Sequence, residues 1–227
     1  MNYEIILNEA ELQKCYQFAN KSAKTQQAIE FGNHDTAMRP ESEISRDNLI
    51  GKIAEVAFQK LLKMHFDILI DLDFQCYDRG VWDDQDAIIN GWRIDVKGTR
   101  QGGKWMLLEW NKLNFRQREN KLAHAYIMFS VGWDRVKDKP TGSAYFEGST
   151  YISHLNPEKY PEVQIFKEGD LLPGTKTRLQ AYNYGIQFIN LYKNLEKTIS
   201  TMKAGTPSPK ITESFINPVE KYLTDNK

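Results

Sequence analysis

Three charged residues of this 227-residue chain, Asp86, Asp95 and Lys97, lie close together in a segment with the pattern of a tight β-hairpin. The dipeptide Asn90-Gly91 is the strongest short hairpin signal, because a type I′ turn needs positive φ at both central positions. A two-residue turn sets the pairing of the strands and predicts that Asp86 lies opposite Asp95. One step further out, Asp84 lies opposite Lys97.

Side chains alternate between the two faces of a strand, so the hairpin has one polar face and one apolar face. The polar face holds Asp84, Asp86, Ile88, Arg93, Asp95 and Lys97. The apolar face holds Gln85, Ala87, Ile89, Trp92, Ile94 and Val96. We therefore expect the second set to face the core.

The polar face predicts a site for a divalent cation. Two opposed aspartates with Cβ atoms about 5 Å apart repel each other, and the repulsion raises the pKa of one of them. Mg²⁺ or Mn²⁺ would remove this conflict, because both ions prefer carboxylate oxygens. Lys97 would then stand beside the metal, where it can face a nucleophilic water or a phosphate. The alternative is a solvated polar face on an edge hairpin.

This pattern resembles the active site of the PD-(D/E)xK nuclease superfamily. In that family an Asp at the start of one strand and a (D/E)-x-K triplet in the next form the site. The triplet matches Asp95-Val96-Lys97, and Asp86 matches the first Asp. Gln85 stands where the family name has Pro, which many members also lack. Asp84 is the alternative first ligand, because a longer turn would exchange its role with that of Asp86.

A helix just upstream carries the fourth residue of the resemblance. Residues 51–62 look like the helix on which many members place a Glu, and Glu55 occupies that position. Apolar residues at helical spacing mark a buried stripe, and Asn48, Lys52 and Gln59 lie with Glu55 on the opposite face. Glu55 is therefore either a ligand of a metal or a water, or an exposed partner of Lys52 or Gln59.

The resemblance covers about residues 45–135 and implies an α/β, restriction-endonuclease-like fold, with a central mixed β-sheet flanked by helices. It implies Mg²⁺-dependent hydrolysis of DNA, with Mn²⁺ able to substitute, and Asp86, Asp95, Lys97 and Glu55 as the catalytic set. The implied metal ligands are Asp86, Asp95, Glu55 and the backbone carbonyl of Val96. Lys97 would orient or activate the attacking water.

Charge is distributed unevenly, although 30 basic and 30 acidic residues cancel over the whole chain. Residues 67–95 carry a net charge of −6 and residues 97–139 a net charge of +6. An acidic metal pocket beside a basic shelf suits a phosphodiester substrate. The candidate phosphate contacts are Arg93, Arg100 and Lys104, followed by Arg116 and Arg118. Clustering of basic residues in loops by chance is the alternative.

Composition bounds the class of protein. The chain shows no signal-peptide pattern and no apolar run of 18 or more residues, which predicts no membrane span. Two cysteines are too few for a disulfide framework or a zinc site, so we expect a cytoplasmic protein. We predict one nuclease domain over residues 1–203, and a linker with a short C-terminal segment over residues 204–227. We expect a homodimer, because cutting both strands of a duplex usually needs two sites.

The hydrophobic pattern predicts the elements that position the site. We expect helices at residues 9–30, about 46–64 and 179–199, and a helix or helical turn at 112–121. We expect further strands at residues 66–72, 105–110, 126–131 and 145–152. Two alternatives to a nuclease remain. One is a catalytically inactive nucleic-acid-binding protein on the same fold, and the other is an assembly protein with an exposed polar hairpin.

Overall fold

The computed structural model describes residues 3–26, 40–76, 85–113 and 122–208. Its helices are α1 (Glu9–Gln26), α2 (Glu41–Phe66) and α3 (Leu195–Ala204). Its strands are β1 (Glu4–Ile6), β2 (Ala87–Ile89), β3 (Trp92–Arg100), β4 (Trp105–Glu109), β5 (Ala125–Asp134), β6 (Lys139–Tyr151), β7 (Val163–Phe166) and β8 (Asn183–Gln187). Short 3₁₀ turns occupy Trp110–Leu113, Ile152–His154 and Phe188–Asn190.

The described strands form two sheets. The larger has the order β1-β6-β5-β3-β2, and the smaller has the order β4-β8-β7. β1 and β6 are antiparallel. β3 and β5 run in the same direction, because the N–H of His124 donates to the carbonyl of Arg93 and the N–H of Gln101 to that of Val131. The protein is therefore α/β with a mixed five-stranded sheet. β5 lies in its middle, which confirms the apolar strand predicted at 126–131.

The chain divides into two compact units. The first comprises Met1–Ile88, Asp95–Gly103 and Ile127–Gly148, and the second comprises Ile89–Ile94, Lys104–Tyr126 and Ser149–Lys227. Helices α1 and α2 belong to the first unit, and the three-stranded sheet and α3 belong to the second. Glu55, Asp86, Asp95 and Lys97 all lie in the first unit. The single domain over residues 1–203 stays a prediction.

Helix α2 is longer at both ends than the sequence indicated. It begins at Glu41, directly after Pro40, whose φ of −57° already suits a helix, and acidic residues fill its first turn. The helix ends at Phe66 and is capped by Asp67, which has the left-handed φ of 52° and whose N–H donates to the carbonyl of Leu62.

The strand predicted at residues 66–72 is wrong. Phe66 completes the last turn of α2, and residues 67–76 contain no strand. The side-chain amide of Gln59 donates to the carbonyl of Ile70 at 2.7 Å. The Ile70 carbonyl therefore has a hydrogen bond from a helix side chain in place of one from a neighbouring strand.

The long helix predicted at residues 179–199 is also wrong. β8 and a 3₁₀ turn occupy its first part, and only α3 is helical. Tyr184 and Ile186 pair with Leu108 and Met106 of β4. Gly185 fits between β7 and β4, since a Cβ there would clash with the Phe166 ring. The apolar residues spaced three and four apart, which predicted one helix, therefore belong to a strand, a 3₁₀ turn and a shorter helix.

The other predicted elements are mostly confirmed. α1 matches the helix predicted at 9–30 as far as Gln26, and β4 matches the strand at 105–110. β6 begins six residues earlier than the strand predicted at 145–152. Only the 3₁₀ turn Trp110–Leu113 falls at the start of the predicted helix 112–121, and residues 114–121 lie outside the described residues. No helix in the described ranges is long and apolar enough to cross a membrane.

Candidate active site

The Asn90-Gly91 turn forms as predicted. The φ angles of Asn90 and Gly91 are 47° and 82°, so both central positions have the positive φ of a type I′ turn. The loop between β2 and β3 is two residues long. Burial alternates along β3, where Trp92, Ile94 and Val96 are buried and the residues between them are partly exposed. The two faces of the hairpin are therefore those that the sequence indicated.

Asp86, the residue before β2, contacts the neighbouring strand. Its Oδ2 atom accepts a hydrogen bond of 2.6 Å from the backbone N–H of Val96. Val96 is the middle residue of the Asp95-Val96-Lys97 triplet, so the first predicted ligand and the triplet lie together. Asp84, the alternative first ligand, lies outside the described residues.

Asp95 and Lys97 form an ion pair on the polar side of β3. Lys97 Nζ lies 2.5 Å from Asp95 Oδ2, and the two side chains are only 23% and 28% exposed. Asp95 Oδ2 is shielded from solvent, and this buried oxygen is the atom that pairs with the Lys97 ammonium. The two ends of the triplet therefore neutralise each other in this structure.

Helix α2 approaches β3 closely at Gly98, one residue after Lys97. A Cβ on Gly98 would lie 2.7 Å from the Ile50 carbonyl oxygen and 3.1 Å from the Ala54 Cβ. Only a residue without a side chain allows this approach. Glu55 follows Ala54 on the helix, so the close approach brings Glu55 to the strand that carries Asp95 and Lys97.

Glu55 makes an ion pair on its own helix. Its Oε2 atom lies 2.5 Å from Lys52 Nζ, and its side chain is 14% exposed. The same ammonium donates to the Asp73 carbonyl at 2.8 Å and lies over the rings of Phe18 and Phe74, at 4.3 and 5.2 Å. Lys52 is 4% exposed, so the expectation that it lies on an exposed face is wrong. The pairing of Glu55 with Lys52, one of the sequence alternatives, is confirmed.

The pKa of Asp86 is raised well above its usual value. Burial of the carboxyl group is the largest cause, followed by the negative charges of Glu55 and Asp95. The Lys97 ammonium and the Val96 N–H oppose the rise without cancelling it. Three carboxylates thus interact strongly enough that one of them resists ionisation, as the sequence predicted for two.

The pKa of Lys97 is raised as well. Burial lowers it, but Asp95, Asp86 and Glu55 together outweigh burial. Lys97 therefore stays charged near neutral pH. A charged lysine among carboxylates can hold a water or a phosphate oxygen, and it can offset negative charge that develops during a reaction.

The side chains of this site supply the oxygen atoms that a divalent cation prefers, but in this structure those atoms are not placed to hold one. Glu55, Asp86 and Asp95 supply carboxylate oxygens, which Mg²⁺ and Mn²⁺ prefer, and their mutual repulsion favours a cation. Yet the described ranges contain no group of three or more His, Cys, Asp or Glu side chains placed to hold a metal ion. Ion pairs with lysines engage Glu55 and Asp95 instead. We call Glu55, Asp86, Asp95 and Lys97 the carboxylate cluster.

The candidate phosphate contacts occupy different surroundings. Arg93 is partly buried, and its Nε donates to the Leu122 carbonyl at 2.6 Å. Burial lowers its pKa. It therefore braces residue 122, a role that the sequence did not indicate. Arg100 and Lys104 are exposed, whereas Arg116 and Arg118 lie outside the described residues.

Sequence reasoning placed Lys52, which lies beside the cluster, on the wrong face of α2. Its spacing of three from Glu55 correctly indicated an ion pair. Nothing in the helical pattern of α2 shows that Phe18 of α1 and residues 73–74 cover it. That burial depends on contacts between segments far apart in the chain.

Comparisons with protein-family models, with curated proteins and with solved structures gave no match for this chain. The resemblance to the PD-(D/E)xK superfamily therefore rests on the residues of the site. The activity, the metal and the substrate are proposals.

Proposed function

We propose that this protein is a metal-dependent nuclease that hydrolyses DNA phosphodiester bonds on a restriction-endonuclease-like sheet. The observation that carries the proposal is the carboxylate cluster. Asp86 contacts the backbone of the Asp95-Val96-Lys97 triplet, and the charge of Glu55 contributes to the pKa shifts of both Asp86 and Lys97. The order helix-Glu, strand-Asp and D-x-K agrees with the superfamily pattern.

The carboxylates and the lysine of the cluster have different roles in this proposal. Asp86, Asp95, Glu55 and the carbonyl of Val96 would hold Mg²⁺. A bound Mg²⁺ supplies Lewis acidity, a lowered pKa of bound water and positioning for in-line displacement. Lys97 holds and orients the attacking water at Nζ, and its charge offsets the charge of the phosphorane-like transition state. Asp95 keeps Lys97 in place through their ion pair.

Cleavage of plasmid DNA in the presence of Mg²⁺ tests the proposal. Asp95→Ala and Lys97→Ala should each abolish most of the activity, because they remove a ligand and the water-orienting charge. Asp71→Asn and Lys63→Ala are matched controls at exposed positions of the same unit, and they should keep it. Full activity in a correctly folded Asp95→Ala or Lys97→Ala variant would refute the assignment.

A second candidate function has two observations in its favour. Lysines already neutralise Glu55 and Asp95, and the described ranges hold no preformed three-ligand group. That arrangement also suits a catalytically inactive nucleic-acid-binding or assembly protein on the same fold. The two candidates differ in metal binding, since only the nuclease needs a divalent cation at the cluster.

We also propose that a homodimer cleaves both strands of a duplex, because each chain offers one cluster. Light scattering on the DNA-bound protein measures its mass directly. Two chains per duplex would support the proposal, and one chain per duplex with double-strand cleavage would contradict it.

A further inference from the structure

The strand that carries the triplet ends beside a hairpin tip that belongs to the basic shelf of residues 97–139. β5 and β6 are joined by a turn at residues 135–138, next to the end of β3. The N–H of Gln101 donates to the Val131 carbonyl at 2.8 Å. Arg135 Nη2 lies 3.1 Å from where a Cβ on Gly102 would be. The tip and the loop after β3 therefore form one continuous surface of the first unit.

This surface is exposed and basic. It holds Arg100, Arg135, Lys137 and Lys139, all exposed, and we call these four residues the basic tip. Asp134 and Asp138 are the acidic residues of the turn, so the surface keeps a net charge of +2. Asp134 Oδ1 accepts hydrogen bonds from the N–H groups of Val136 and Lys137, at 2.9 and 3.1 Å. This carboxylate thus holds the turn that presents the cations.

Arg100 is held in place before any ligand arrives. Its guanidinium carbon lies 5.8 Å from the centre of the Trp133 ring, within the range of a cation–π interaction. Its Nη1 lies 4.0 Å from Asp138 Oδ1, and the Trp133 indole N–H donates to the same oxygen at 2.9 Å. A positioned guanidinium loses less conformational entropy on binding a phosphate than a free one.

We infer that the basic tip binds the sugar-phosphate backbone of duplex DNA next to the bond that the carboxylate cluster cleaves, and this inference rests on the proposed function. Arg100 lies three residues beyond Lys97, which is about 10 Å along an extended strand. Alternation puts the Arg100 side chain on the face opposite Lys97, but Arg100 is the last residue of β3, so a duplex that crosses this end of the strand can contact both. Exposed cations on a turn bind phosphates without reading base sequence.

Binding of a fluorescein-labelled DNA duplex in EDTA tests the inference without any hydrolysis. The variant Arg135→Ala/Lys137→Ala should raise Kd at least about tenfold, because two phosphate contacts are lost. The slope of log Kd against log salt should fall by about 2. The control Lys21→Ala/Lys63→Ala removes the same charge from exposed positions of α1 and α2 and should leave the slope unchanged.

Equal effects of the two double variants, or no binding by the wild type, would overturn the inference. Failure of the proposed function would give a different experimental result from failure of this inference. A protein that binds DNA through the basic tip but never cleaves it with Mg²⁺ or Mn²⁺ would keep the inference and lose the nuclease. A protein that cleaves DNA and binds it equally well after Arg135→Ala/Lys137→Ala would keep the nuclease and lose the inference.

Discussion

The carboxylate of Asp86 accepts a hydrogen bond from the backbone N–H of Val96 at 2.6 Å, across the hairpin whose turn is Asn90-Gly91. This contact holds a carboxyl group of raised pKa beside the Asp95-Val96-Lys97 triplet. One backbone N–H donates to the Asp86 carboxyl group, but two neighbouring carboxylates repel its negative charge. Ionisation of Asp86 therefore costs free energy. A carboxyl group whose pKa is raised this strongly by burial and by neighbouring charges is typical of a functional site.

Asp86→Asn should stabilise the metal-free protein. Asn removes the charge that burial, Glu55 and Asp95 disfavour, and its amide oxygen can still accept from the Val96 N–H. We expect a gain of about 1 kcal/mol in the free energy of unfolding at neutral pH, measured by urea denaturation. Asp71→Asn, at an exposed position, should change it little.

The stability gain of Asp86→Asn over the wild type should increase as the pH rises. A carboxyl whose pKa is raised in the folded state favours folding while it is protonated and loses that contribution as the pH rises through the raised pKa. The difference between Asp86→Asn and the wild type should therefore be largest at neutral pH and vanish below the ordinary Asp value of about 3.9. A variant less stable than the wild type at neutral pH would contradict this account.

Lys52→Met should destabilise the protein by about 3 kcal/mol, because it removes the buried ammonium that pairs with the largely buried Glu55 carboxylate. Lys60→Met is the matched control on the same helix. Lys60 also pairs with a glutamate, Glu11 at 2.7 Å, but the two side chains are 24% and 29% exposed against 5% and 14% for Lys52 and Glu55, so its loss should cost less, about 1 kcal/mol.

Chemical denaturation of both variants measures the difference. Adding Glu55→Gln to Lys52→Met should recover part of the loss, because the carboxylate charge that the ammonium offset is then removed. Equal costs for Lys52→Met and Lys60→Met would argue against a special role for the buried ammonium.

Gly98→Ala should separate α2 from β3. The new Cβ would lie 2.7 Å from the Ile50 carbonyl oxygen, and relieving that clash should cost about 1–3 kcal/mol. Gly51→Ala is the control within α2, where a Cβ has nothing within 4 Å and alanine should stabilise the helix by up to about 1 kcal/mol. Thermal denaturation gives both values, and unchanged stability in Gly98→Ala would mean that the close approach is not tight.

His124 should make the protein acid-sensitive. Its Nδ1 accepts a hydrogen bond from the Arg93 N–H at 2.9 Å, which requires a neutral ring. Burial, aided by the charge of Arg93, lowers the pKa of His124 from 6.5 to about 4. The unfolded chain therefore binds the proton more tightly, and stability falls as the pH drops from 6.5 towards 4, by an amount on the order of 3 kcal/mol.

His124→Asn keeps an acceptor for the Arg93 N–H but cannot titrate, so it isolates this contribution from that of the carboxyl groups. The stability of the wild type relative to His124→Asn should decline across that pH range. A constant difference between pH 7 and pH 4 would show that His124 does not carry the effect.

Features of the site that depend on neighbouring residues were predictable from the sequence. Asn90-Gly91 alone indicated the turn, and alternation on either side of it indicated the faces of β3. Features that depend on distant contacts were not. The burial of Lys52 comes from Phe18 and residues 73–74, and the approach of α2 to Gly98 is a packing relationship between a helix and a strand.

The error at residues 179–199 has a different origin. Apolar residues at spacings of three and four are compatible with a helix, but the pairing of β8 with β4 and β7 decides the structure there. Tertiary contacts overrode a local pattern that was ambiguous in period.

Binding of Mn²⁺ to the metal-free protein, measured by calorimetry, tests the central claim most directly. The proposed nuclease should bind Mn²⁺ in the wild type and in the control Asp71→Asn, and it should lose this binding in Asp86→Asn, which is folded and at least as stable. Absence of binding in the wild type, or equal binding in all three proteins, would contradict a metal site at the carboxylate cluster.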